Sequence, residues 1–184
     1  MEFTAWEGSL ERHWTGPNEY REIVEIGALR VNLENPDQPE QAFDTLVKPV
    51  KNPQLSDYFI KLTGISQQRL DREGKSFKTA MAAFAAFAAG VTRYYAYGED
   101  GDIIAENFDF QNLENPLDGA QIINARPAIR QAHNLGKNVT SGDLPTAIGA
   151  AQKSGDLQAH KALDDARALA QVLVPLLRTP GFTL

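Results

Sequence analysis

Between Tyr20 and Asn32, apolar side chains fall on both faces of an extended segment: Val24, Ile26 and Ala28 on one, Ile23, Leu29 and Val31 on the other. Apolar character on both faces predicts an inner strand of a covered sheet. After the polar turn from Glu34 to Pro39, Phe43 to Val50 predicts a second strand that closes a hairpin and is ended by Pro49 and Pro53. Ser56 and Asp57 then cap a short helix, Tyr58 to Leu62, stopped at Gly64. At Ser76 the period changes, because Phe77, Met81, Phe84 and Phe87 or Ala88 recur at helical spacing among alanines, predicting a core-facing helix to about Ala89. Tyr94 to Gly98 predicts a third strand, Asp102 to Phe108 a helix, and Gln121 to Asn124 a fourth strand. Helices are expected over Ala128 to Leu135, Leu144 to Gln152 and Lys161 to Val174; Pro127 suits a first turn, and Pro175 should bend or end the last helix. Without internal repeats or long linkers, this order predicts an α/β domain, a mixed sheet covered by helices.

One residue breaks the pattern. On the last helix Asp165 points with Ala162, Leu169, Val172 and Leu176, in the middle of the apolar stripe, whereas Asp164 shares the polar side with Lys161, Arg167 and Gln171. A carboxylate on a buried face is costly unless paired, so Asp165 requires either an Arg or Lys from elsewhere in the fold or a metal ion. His160 lies just before the helix, near enough for both to face one site. His13 and His133 have no comparable setting and are expected to be surface or locally bonded side chains.

Composition narrows the chemistry. At 184 residues with 42% hydrophobic and 23% charged positions, the chain makes one domain able to bury a core. A net charge of −6 argues against a broad basic surface for nucleic acid, so such a partner needs a local site. The absence of cysteine excludes disulfides, thiolate metal sites and thiol nucleophiles, and it fits a reducing compartment, with a cytoplasmic location expected. The longest apolar run, Ala80 to Val91, is far short of the ~20 residues of a membrane span.

With its neighbours, the His-Asp pair becomes specific. His160-Lys161-Ala162-Leu163-Asp164-Asp165-Ala166-Arg167 resembles the last motif of the DEDDh 3′–5′ exonucleases, the group that includes ribonuclease T, the proofreading subunit of DNA polymerase III and the Eri1-like RNA exonucleases. Other stretches resemble that family in order: Glu2 to Gly8 its opening motif, Glu22 to Ala28 its second strand, and Ile123-Asn124-Ala125-Arg126 the strand end before the late helices. Asn52 to Asp57 followed by Leu62-Thr63-Gly64-Ile65 resembles the Eri1-like branch in particular. The likeness runs from about Glu2 to Leu177.

The resemblance implies a ribonuclease H-like mixed sheet flanked by helices, and removal of nucleotides from the 3′ end of single-stranded RNA or DNA. It implies two Mg²⁺ or Mn²⁺ ions held by carboxylates, which hard cations prefer, and a histidine that deprotonates the attacking water. Carried over, His160 is the general base, Glu2 and Asp165 are ligands, and Thr63, Gly64, Ile65, Phe3 and Thr4 contact the substrate. The third acid is Asp100, with Asp102 and Glu99 as alternatives in the same acidic loop. The family opens on Asp-x-Glu; with Glu2 as its second acid, the first Asp falls one residue before Met1, and the central first strand is truncated or missing. That departure implies impaired two-metal binding and weak or absent activity in this form. It is accounted for by a natural start upstream, by a degenerate module that binds nucleic-acid ends or protein, or by another segment or a partner filling the strand. A homodimer is expected from ribonuclease T-like relatives and from an incomplete sheet.

Overall fold

The computed structural model describes residues 1–35, 38–117, 120–150 and 160–184. Strands β1 (Glu2–Phe3), β2 (Ile23–Arg30) and β3 (Gln41–Leu46) form an antiparallel sheet in the order β1-β2-β3, while β4 (Tyr94–Ala96) and β5 (Ile122–Asn124) pair in parallel. The helices are α1 (Asp57–Thr63), α2 (Gln67–Glu73), α3 (Phe77–Phe87), α4 (Asp100–Gln111), α5 (Arg126–His133), α6 (Leu144–Ala147) and α7 (Ala162–Leu177). With β1 only two residues long, no ladder joins β2 to β4 among the described residues, and the sheet stands as two parts. The motif order predicted a truncated or missing first strand, and β1 has two residues.

The α/β architecture agrees with the sequence reading, and the differences have local causes. β3 starts at Gln41 and stops at Leu46 because Val47 turns to bridge Lys75. In β2 the two-face alternation is interrupted: Ile23 and Ile26 pack in one core with α3 and α4, while Val24 joins Leu46, Phe59, Ile65 and Leu70 in a second. The pairing with β1 slips between Glu2↔Glu25 and Phe3↔Ile23, which places an extra β2 residue at Val24. α2 was not foreseen: its QQRLDRE sequence buries only Leu70, and its start is fixed by Ser66, whose hydroxyl accepts from the Arg69 N–H at 3.1 Å. α4 begins at Asp100 rather than Asp102. The helix expected to reach Gln152 is observed over Leu144–Ala147, and residues 151 and 152 lie outside the described residues. α7 continues through Pro175 to Leu177; so near the end the ring costs a single i−4 hydrogen bond, which does not stop the helix.

Helix α7 lies across β2, and a glycine sets their distance. A Cβ built on Gly27 would stand 2.1 Å from the Leu163 nitrogen and 2.3 Å from the Ala162 carbonyl carbon, so only glycine admits the first turn of α7 this close. The buried Glu25 carboxylate completes the junction by accepting the Ala162 N–H at 2.8 Å, one of the orphan donors of the helix start. Glu22, 1% exposed, accepts the backbone N–H groups of Val50, Lys51 and Asn52 at 2.7, 2.8 and 2.6 Å and so clamps the loop before α1 to β2. Asn107 links α4 to the same strand end: its Oδ1 accepts from Ile23 N at 3.0 Å, and its Nδ2 donates to Arg21 O at 2.8 Å. Among the described residues no helix is long and apolar enough to cross a membrane.

Candidate active site

Glu2, Asp100, His160 and Asp165 line one cleft of about 2010 Å³, well above the roughly 300–1,000 Å³ of small-molecule pockets and open enough for a polymer end. The three acids come from three different elements, and His160 from the turn before the last of them. Glu2 lies on β1 opposite Glu25 and is buried. Asp100 is the first residue of α4, and its Oδ1 accepts from the Met1 α-ammonium at 3.2 Å. Asp165 is in the first turn of α7, brought over β2 by Gly27. His160 precedes the Lys161 N-cap in a left-handed conformation, φ 62°, that turns the chain into the helix.

The electrostatics mark a surplus of buried negative charge. Burial pushes Glu2 up to about 8; the Met1 ammonium opposes this, and the carboxylates of Asp165, Glu25 and Asp100 reinforce it. Burial also raises Asp165, against a hydrogen bond from Ser141 and the weaker pull of the Met1 ammonium and His160. Of the apolar residues predicted to share its face, Ala162, Leu169 and Val172 are buried and Leu176 is partly buried. Yet among the described residues no Arg or Lys partners Asp165, and its Oδ1 is buried with no hydrogen-bond partner. Asp164, by contrast, pairs with Arg167 at 2.8 Å on the outer side. An orphaned carboxylate oxygen among other carboxylates suits a hard divalent cation, although among the described residues no three of these groups already converge on one point.

The other expected residues are placed unevenly. Asp102 is exposed and outside the cleft; Glu99 lines it but faces Arg21 at 3.8 Å. Phe3 lines the cleft and packs on Trp14, ring centroids 5.3 Å apart. Thr4 does not line it: the side chain is buried and its hydroxyl accepts the Glu22 N–H at 3.0 Å and donates to Tyr20 O. Thr63 and Ile65 are likewise interior, because the Thr63 hydroxyl donates to Phe59 O at 2.9 Å and accepts the Ile65 N–H at 3.1 Å. Gly64, with φ 73°, caps α1 and is exposed, outside the cleft wall. That wall is made instead by Tyr58 and Leu62, an i, i+4 pair on α1 whose spacing was visible in the sequence, together with Trp6 and Leu10. His13 is exposed, as expected, while His133 keeps a buried Nε2 without a partner.

A divided α/β sheet flanked by helices, with a carboxylate-lined cleft, is the architecture of a ribonuclease H-like fold. A family profile described as exonuclease (RNase_T) matches residues 2–173, and the chain belongs to this family, the DEDDh 3′–5′ exonucleases. It is 35% identical over 84 residues to ERI1 exoribonuclease 2 of Xenopus laevis, covering 46% of this chain and 11% of that protein. It is 25% identical over 165 residues to 3′-5′ exoribonuclease 1 of Mus musculus, covering 85% and 47%. The chain thus spans less than half the length of these curated relatives. Among solved structures, the nuclease domain of 3′hExo bound to rAMP superposes with a TM-score of 0.79 at 24% identity, over all of this chain and 90% of that one. Cell-death related nuclease 4 gives 0.73 at 17%, over 96% and 61%. At these identities the structural likeness concerns the fold, which agrees with the architecture described above.

Proposed function

We propose that this domain hydrolyses the terminal phosphodiester at the 3′ end of single-stranded RNA or DNA. The observation that carries the reading is that Glu2 on β1, Asp100 on α4, Asp165 on α7 and His160 in the turn leading into α7 all line one open cleft. Glu2, Asp100 and Asp165 would hold Mg²⁺ or Mn²⁺, with Asp100 exchanging the Met1 ammonium for the ion. Such ions supply charge neutralisation at the phosphoryl oxygens. His160 accepts the proton of the attacking water, the general-base role an imidazole at the edge of the acid cluster can fill. Phe3, Trp6 and Tyr58 offer apolar faces on which terminal bases stack, while the acidic walls limit the cleft to a chain end rather than a long tract.

The test is release of mononucleotides from 5′-labelled single strands in Mn²⁺, compared with the His160→Ala variant. Stepwise shortening from the 3′ end that disappears in the variant is expected; no shortening, or shortening indifferent to His160, would overturn the reading. A second reading is a non-catalytic module that holds nucleic-acid ends or a protein. It is favoured by the lack, among the described residues, of a preassembled group of three ligands. Calorimetric titration with Mn²⁺ separates the two, since the module need bind no ion.

A further inference from the structure

Arg126, the first residue of α5, lines the cleft beside the acids and is exposed. Its guanidinium is held in place without an ion-pair partner among the described residues. Nε and Nη2 both donate to the backbone oxygen of Tyr97, at 3.2 and 2.8 Å, and Cζ lies 5.2 Å from the centre of the Tyr97 ring. All these partners are uncharged. A Cβ on Gly98 would lie 2.9 Å from Nη2 and 3.6 Å from the Asp100 Oδ2, so guanidinium and carboxylate face each other across this glycine, yet they form no ion pair.

The other arginines near the cleft are engaged or distant. Arg21 pairs with Glu106 and Glu99, and Arg30 donates to Phe87 O at 3.4 Å. Arg93 precedes β4, roughly 10 Å of strand away from the acids at its other end. Among the described residues Arg126 therefore has no ion-pair partner, and it brings a positive charge, with spare N–H donors in a fixed fork, to within one residue's width of a proposed catalytic carboxylate. A rigid planar donor pair of this kind matches a phosphate.

We propose that Arg126 binds a backbone phosphate of the terminal nucleotides, so that the strand end is held between this guanidinium and the acid cluster; the assignment rests on the exonuclease reading above. A purely structural clamp on the Tyr97 carbonyl would leave the charge idle. Binding of phosphate instead releases counterions and adds to the salt dependence of strand affinity.

The experiment measures binding of a 5′-fluorescein single strand in MnCl₂ by anisotropy, over a range of KCl, with every protein in a His160→Ala background so that the strand is not consumed. Arg126→Met is expected to weaken binding about tenfold at low salt. It should also flatten the slope of log K against log salt by about 0.7. Arg126→Lys should restore the slope but not the full affinity. Should Arg126→Met not fold, Arg126→Gln keeps an N–H for Tyr97 O while removing the charge, and the same flattening is expected. A folded neutral variant whose slope matches the parent overturns the assignment of Arg126 alone. If the unsubstituted protein neither binds nor shortens single strands, the exonuclease reading falls and the assignment with it.

Discussion

Replacing Gly27 by alanine perturbs the site from below without touching an acid. The added methyl would sit 2.1 Å from the Leu163 nitrogen, 2.3 Å from the Ala162 carbonyl carbon and 2.5 Å from the Leu163 Cα, all backbone atoms that no rotamer change can move aside. Reaching the 3.4 Å of an ordinary contact requires the first turn of α7 to retreat by about 1.3 Å, the difference between 3.4 and 2.1 Å. Asp165 rides on that turn, and the 2.8 Å bond from Ala162 N to Glu25 stretches with it. Overpacking of this kind costs about 1–3 kcal/mol. In a chain of this size ~2 kcal/mol lowers Tm by about 4–8 °C. A shift of ~1 Å at a reacting group costs on the order of 10²-fold in rate. Thermal unfolding by circular dichroism and strand shortening in Mn²⁺ read the two effects on one preparation. Gly27→Ala with an unchanged Tm and the parental rate would refute the claim that this contact positions Asp165.

Other substitutions and conditions test the remaining arguments. Because burial raises Glu2 to about 8, above its ordinary 4.5, the stability it contributes in metal-free protein is full below about 4.5 and lost as pH rises through about 8. Tm without divalent ions should therefore fall over that window, and Mn²⁺ should raise it more at the alkaline end; a metal-free Tm that climbs over the same range contradicts the burial argument. Glu22→Gln turns an amide group towards three backbone N–H donors and should cost about 3 kcal/mol in urea unfolding, with no loss expected if the clamp on Val50, Lys51 and Asn52 is idle. Asn107→Ala strands Ile23 N and Arg21 O in the interior and should cost about 2 kcal/mol, visible as faster exchange of the Ile23 amide.

What the sequence disclosed was whatever depends on neighbours along one element. Asp165 was legible because helical geometry alone sets it among Ala162, Leu169 and Val172. The Ser56 cap, the helix start at Ser76 and the Gly64 stop were legible for the same reason. Glu22 and Glu25 read only as polar strand positions, since the donors they accept lie on chain segments that only folding brings near. Thr63 and Ile65 were expected at the substrate because of their motif, but motif order carries no information on which side chains a helix end turns inward. Asp100 and Asp102 were separable only once α4 had a first residue. Arg126 was noticed as the end of a strand, and its position beside Asp100 arises from the parallel pairing of β4 with β5.

The division of the sheet has a mechanical consequence. Glu2 belongs to one part, Asp100 lies on α4, which follows β4 of the other, and no strand ladder joins the two parts among the described residues. Their separation is set by other contacts: the Met1 α-ammonium on Asp100, Arg21 with Glu106, the Asn107 amide, and the shared packing of Ile23 and Ile26 with Ile103, Ile104 and Phe108. A backbone ladder is a stiff ruler, whereas a packed apolar seam yields as side chains are trimmed or temperature changes. The spacing of the carboxylates is thus adjustable from the core side of α4, and substitutions there tune the site without altering any of its acids.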